Sequence, residues 1–169
     1  QGEGRVLCLD DAIGYPGLES HPELRPNRLM HYGIKTVRGY DPIILKSYVA
    51  FINQLFGLDP NTPQGGLLFF PHIPASNKFH QLSVSLIVTT QDLPAPYTLA
   101  WSETDSAVRV YRNPAHVPPY HWAQSQSREG ITLQENHPGY WRFSLSEGDK
   151  QDLFLSRNYY PGWQYRTHA

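Results

Sequence analysis

The stretch Val84-Ser85-Leu86-Ile87-Val88-Thr89-Thr90 decides the fold class. In an extended chain Val84, Leu86 and Val88 face one side, and Ser85, Ile87 and Thr89 the other. Apolar residues on both faces predict a strand covered on both sides, as in a layered sheet. Toward the N-terminus, Ser76–Leu82 reads as a short helix capped by Ser76. Asp41-Pro42 reads as a helix start, with Asp41 as N-cap and Pro42 at the first helical position. Ile43, Ile44, Ser47, Tyr48, Phe51, Ile52 and Leu55 then recur at helical spacing, and Gly57 ends the segment. Arg5–Leu9 and Ile34–Arg38 read as strands. Between them Glu23–Tyr32 reads as a short helix stopped by Gly33, with Pro26 in its first turn.

Toward the C-terminus the pattern changes. Tyr97–Ser102, Ala107–Tyr111, Ile131–Glu135, Tyr140–Leu145 and Asp152–Ser156 read as strands at spacings of roughly ten residues. His137-Pro138-Gly139 and Glu147-Gly148-Asp149 supply turns. The predicted fold is α+β: an α/β-type half over 1–93 and a β-rich, antiparallel, sandwich-like half over 94–169. The two are expected to share one core in a single domain.

Composition narrows the function. Aromatics at 13% and fifteen prolines favour strands and ordered loops over a helical bundle. A net charge of −1 argues against a nucleic-acid surface. The lone Cys8 excludes an internal disulfide and reads as a buried, inert thiol. No apolar run approaches the roughly 18 residues of a membrane span. The chain has no starting Met. Near its end, Leu153–Tyr165 reads as a strand, a Tyr159-Tyr160-Pro161-Gly162 turn and a returning strand at Trp163–Tyr165 that lacks a successor. Together these lead us to expect a domain excised from a longer protein.

Catalytic constellations are scarce. His116, His121 and His137 lack metal-ligand spacing, and no nucleophile elbow, phosphate loop or dinucleotide fingerprint is present. Asp10-Asp11 lies just past a strand end, where α/β folds often place ligands, but adjacent residues on a strand face opposite ways and a strand-terminating turn is the favoured reading. Glu103 and Asp105 flank a predicted hairpin turn. No catalytic residue, metal or cofactor is assigned. Arg25, Asn27, Arg38, Tyr40 and Asp41 bring polar and aromatic groups to helix starts and a strand end, and are the candidate ligand-binding residues. Trp101, Trp122, Trp141 and Trp163 could stack on sugar rings if exposed, although core packing is their usual fate.

Several motifs fall into one order: Arg5-Val6-Leu7, Asn27 with Tyr32-Gly33, Gly39-Tyr40-Asp41-Pro42 with Tyr48, and His80–Val88. Val110-Tyr111-Arg112-Asn113-Pro114-Ala115-His116-Val117-Pro118 and Tyr159-Tyr160-Pro161-Gly162-Trp163 complete it. The set spans nearly the whole chain. It resembles the soluble extracytoplasmic domain of YfhO-like bacterial membrane proteins, which are similar to GT-C glycosyltransferases. Two departures stand out: Ser85-Leu86 replaces a more usual basic-aromatic pair, and the chain stops soon after Pro-Gly-Trp. The resemblance implies a bacterial cell-membrane protein with this domain on the periplasmic or extracellular side. Its partner would be the transmembrane region of the same parent chain. It implies a link to glycan or lipid-linked sugar transfer, with the catalytic acid in the membrane part. The expected function is therefore noncatalytic: positioning a glycan or lipid-linked acceptor, or stabilising the membrane part. A free-standing carbohydrate-active hydrolase using Asp10, Asp11 or Asp41, and a purely structural module, are the alternatives.

Overall fold

The computed structural model describes residues 4–10, 28–38, 45–63, 68–102, 104–137, 140–146, 152–156 and 164–166. Its centre is a four-stranded sheet of β1 (Arg5–Cys8), β2 (Val84–Thr89), β3 (Thr98–Ser102) and β4 (Arg109–Arg112), in the order β1-β2-β4-β3. β1 and β2 are parallel, and β4 is antiparallel to both its neighbours. The protein is a small, β-rich α+β fold. Thr36 adds a single parallel bridge on the outer side of β1, where the sequence suggested a full strand. Val6 N–H donates to the Lys35 carbonyl at 2.8 Å, and Val37 N–H to that of Val6 at 3.1 Å.

The register follows from hydrophobic matching. Leu7 pairs with Ile87 and Cys8 with Val88, so each face of β1 continues that face of β2. Leu7, Leu9 and Ile87 meet helix α1 (Lys46–Leu55) through Ile52 and Leu55, with Phe70, Phe79 and Leu82 completing that core. Cys8, Val88 and Val108 form the core of the opposite face, joined by Val6, Leu29 and Val110. The two-sided burial expected for Val84–Thr90 is what this arrangement requires.

Several boundaries differ from the sequence reading. α1 begins at Lys46, and Leu45, its N-cap, is extended with φ −60° and ψ 128°. Leu45, not Asp41, is therefore the N-cap of this helix; Asp41–Ile44 lie outside the described residues. Of the helix expected over Glu23–Tyr32, the described end is a 3-10 turn, Leu29–Tyr32, closed by Gly33 at φ 69°; Glu23–Asn27 lies outside the described residues. Ser76 does cap the following segment, a 3-10 helix over Asn77–Leu82, by accepting from Lys78 N–H at 3.3 Å. Near the C-terminal end of α1, Asn53 is fully buried and its side chain donates to the Thr62 and Pro60 carbonyls, fastening the loop after the helix.

The β-rich half is antiparallel, but its strands are shared out. β3 and β4 complete the central sheet, because β2 needs a hydrogen-bonded neighbour on its second edge. The remainder forms two ribbons: β5 (Tyr120–Trp122) with β8 (Leu153–Leu155), and β6 (Ile131–His137) with β7 (Tyr140–Leu145). β5 was not anticipated, being three residues long and preceded by Pro118-Pro119. Tyr120 joins the ribbons, with Phe143 at 5.2 Å and Trp141 at 6.1 Å between ring centroids, and the Arg128 guanidinium 4.1 Å from its own centroid. The returning strand expected at Trp163–Tyr165 does not form in its described part. Gln164–Arg166 has no regular structure and Tyr165 is 91% exposed, so no half-buried face holds it. The turn before it lies outside the described residues.

Asn113 supports the sheet rather than a ligand. Its amide donates to the Val84 carbonyl at 2.8 Å and its carbonyl oxygen accepts from Ala115 N–H. A buried carbonyl at the start of β2 is satisfied in this way.

Candidate functional site

Of the five candidate binding residues, Arg38 is described; Arg25, Asn27, Tyr40 and Asp41 lie outside the described residues, as do Asp11, Glu103 and Trp163. Arg38 sits at the carboxyl end of the parallel strands, where α/β folds place ligands. It is not presented to one. Its guanidinium forms an ion pair with Asp10, and the two side chains are 3% and 13% exposed. It also donates to the Cys8 carbonyl at 3.2 Å, and its Cζ lies 5.9 Å from the Phe70 ring centroid. Asp10 in turn accepts from Phe70 N–H at 3.2 Å, while its own N–H donates to the Phe70 carbonyl at 3.0 Å. Asp10 and Arg38 thus clamp the ends of β1 and the 36–38 segment to Phe70. Asp10 is engaged as an acceptor and is poorly placed to serve as a general base.

The other candidates separate. Trp101 lies exposed on the edge strand β3, and Asp105 is exposed in the β3–β4 turn. Trp122 donates its indole N–H to the Glu129 carbonyl at 2.7 Å, and Trp141 packs among Tyr120 and Phe143. His121 is buried, stacked on Phe154 at 4.7 Å, with Nδ1 3.0 Å from the Pro118 carbonyl. Among the described residues no group of three or more His, Cys, Asp or Glu side chains could hold a metal ion.

A concave site appears elsewhere, around Arg5. The Arg5 guanidinium donates to the Leu82 carbonyl at 2.9 Å, to Ser156 Oγ at 2.7 Å and to the Ser156 carbonyl. Ser156 Oγ donates to the Gln81 carbonyl. One side chain at the start of β1 thereby joins the end of a 3-10 helix to the end of β8. Beside this node runs a groove of about 450 Å³. Val37, Tyr48, Phe51 and Leu82 form one part of its lining and Phe154, Leu155 and Ser156 another, with Arg5, Thr36, Ser47 and Gln81 adding polar groups. Tyr48 is held in place by donating its hydroxyl to the Val37 carbonyl at 3.0 Å. A smaller cavity of about 80 Å³, also bordered by Arg5, is lined by Lys35, Tyr120, Asn136 and Trp141 among others. Little in the sequence points to this site. Arg5 heads an apolar strand and Tyr48 sits on the buried stripe of α1, but Phe154–Ser156 is brought to them only by the β5–β8 pairing.

Burial raises the pKa of two groups. The Cys8 thiol is pushed from 9.0 to about 12 by burial, with the Arg38 charge acting in the opposite sense. The Tyr48 hydroxyl is pushed from 10.0 to about 12 by burial, again opposed by a cation, Arg5. Both groups stay protonated in the fold while the unfolded chain ionises first. Their contribution is complete below about pH 9 and is lost as pH rises toward about 12. Urea unfolding across this range should show stability falling steeply above pH 9. Cys8→Ala should flatten the fall; an unchanged slope would contradict the burial argument. At pH 8 the native thiol should resist aromatic-disulfide reagents until the chain is unfolded.

Comparisons with protein-family models, with curated proteins and with solved structures found no match. No helix among the described residues is long and apolar enough to cross a membrane.

Proposed function

We propose that the chain is a noncatalytic extracytoplasmic domain of a membrane-bound, glycosyltransferase-like protein, and that its groove positions a glycan or lipid-linked acceptor. The observation that carries this reading is the groove beside Arg5. It combines aromatic and aliphatic walls with a few placed polar groups, the usual make-up of a small-molecule site. Tyr48, Phe51 and Phe154 offer apolar surface to the carbon face of a sugar or to the first isoprene units of a lipid carrier. Arg5 adds positive charge suited to a carrier's phosphate. The ordered motifs from Arg5-Val6-Leu7 to Pro161-Gly162-Trp163 supply the membrane-tethered context.

The test is an NMR titration of the chain with methyl glycosides and short-chain polyprenyl phosphates. Shifts at Tyr48, Phe51, Phe154 and Leu155 are expected. The exposed Ser47→Trp substitution should fill the groove and weaken binding at least about tenfold, the effect of losing about 1.4 kcal/mol, with the melting temperature little changed. Saturating ligand that leaves these resonances unmoved would rule the groove out.

A further inference from the structure

Residues 28–35 form a tight turn that the fold holds outward. Leu29 packs against the Cys8, Val88 and Val108 cluster, anchoring the turn at its start. Gly33 N–H donates to the Met30 carbonyl at 3.0 Å and Ile34 N–H to that of Leu29 at 3.1 Å. Gly33 takes φ 69°, a value that glycine reaches without strain. Immediately afterwards Lys35 and Val37 bond to β1, fixing the exit. Three large apolar side chains are nevertheless left in solvent: Met30 at 62%, Tyr32 at 71% and Ile34 at 38% exposure.

The charges around them share one sign. Arg28, His31 and Lys35 are all exposed within the same eight residues. Between Leu24 and Tyr40 the sequence places four of its fourteen Lys and Arg and none of its fifteen Asp and Glu. Arg38 is paired with Asp10, which leaves Arg28 and Lys35 as the exposed permanent cations of a turn that holds no Asp or Glu, in a chain of net charge −1. Exposed aromatic and thioether groups flanked by cations match the boundary of an anionic bilayer, with apolar groups at acyl depth and cations among phosphates.

We propose that this turn docks on an anionic lipid surface, Met30 and Tyr32 entering the headgroup boundary while Arg28 and Lys35 meet lipid phosphates. The contact is weak and reversible by itself, because it uses three apolar side chains and two permanent cations. It gains strength when the chain is already held near a bilayer, through effective concentration. The inference does not rest on the groove binding a sugar.

Vesicle co-sedimentation of the 169-residue chain tests it. Binding is expected to phosphatidylcholine vesicles containing phosphatidylglycerol, to be weaker on pure phosphatidylcholine, and to fall in high salt. At about fivefold per cation, Arg28→Gln with Lys35→Gln should weaken partitioning about 25-fold. Met30→Ser with Tyr32→Ser should also weaken it. The melting temperature should hold in both variants, because all four side chains are exposed. No binding to anionic vesicles, equal binding to neutral ones, or unaltered binding by either double variant would each overturn the proposal. So would capture of a protein partner through this turn without vesicle binding.

Discussion

Replacing Arg38 with Met is expected to lower stability by about 3–5 kcal/mol, the cost of removing one partner from a buried ion pair. The substitution keeps side-chain length but leaves the Asp10 carboxylate nearly enclosed, with Phe70 N–H as its remaining described donor. It also frees the Cys8 carbonyl and the Phe70 ring from the guanidinium. For a domain of this length each kcal/mol shifts the melting temperature by about 2–4 °C, so a drop of about 10 °C is expected. Asp10→Asn should also be costly, because it leaves the Arg38 guanidinium buried without a counter-charge, although the amide oxygen can still accept from Phe70 N–H. The double variant Arg38→Met with Asp10→Asn should be more stable than Arg38→Met alone, because no unpaired charge remains. Thermal unfolding of the three variants decides the matter. Strictly additive losses would mean that Arg38 acts by packing and not by pairing.

Arg5→Gln is expected to cost about 3 kcal/mol, since hydrogen bonds to a charged donor contribute roughly 1.5–3 kcal/mol and do not add fully. The guanidinium bonds two backbone carbonyls and a hydroxyl, and two of those three acceptors belong to Ser156, 151 positions away. Its loss should loosen β8 more than the central sheet. Hydrogen exchange should therefore quicken at Leu153–Leu155 and at β5, while β1 and β2 stay protected. Ser156→Ala should cost about 1 kcal/mol, and combining it with Arg5→Gln should add little. Uniform exchange across the whole chain in Arg5→Gln would show that Arg5 supports the global fold and not this junction. The same variant should abolish ligand-induced shifts in the groove, because Arg5 and Phe154–Ser156 line it together.

The elements themselves were largely legible. Val84–Thr89 is the central strand because its apolar residues alternate across both faces, and both faces meet a core. The apolar stripe of Tyr48, Phe51, Ile52 and Leu55 marked α1, and Gly33 and Ser76 marked a stop and a start. Failures arose where local signals compete. Asp41-Pro42 is a good helix start in isolation, yet Leu45 is extended and the helix begins after it. Trp163–Tyr165 has strand periodicity, but its described residues have no paired neighbour to make a strand of it.

The candidate site was harder to read. In sequence Arg38 is a cation near a strand end with no local partner; Asp10, which pairs with it, lies 28 residues earlier and is brought adjacent by the parallel pairing. The groove residues attracted little notice because each looks like an ordinary core or turn residue.

Local pattern marked most of the segments that bury, since hydrophobic periodicity carries the period of its own backbone; it did not assign every face, because Val84 packs with Ile87 and not with Val88. Tertiary structure alone decided that β3 and β4 join the central sheet, that Arg38 serves Asp10, and that Arg5 meets Ser156. Those outcomes depend on contacts between distant segments, and their specificity comes from matching each buried donor and acceptor with whichever element packing brings near.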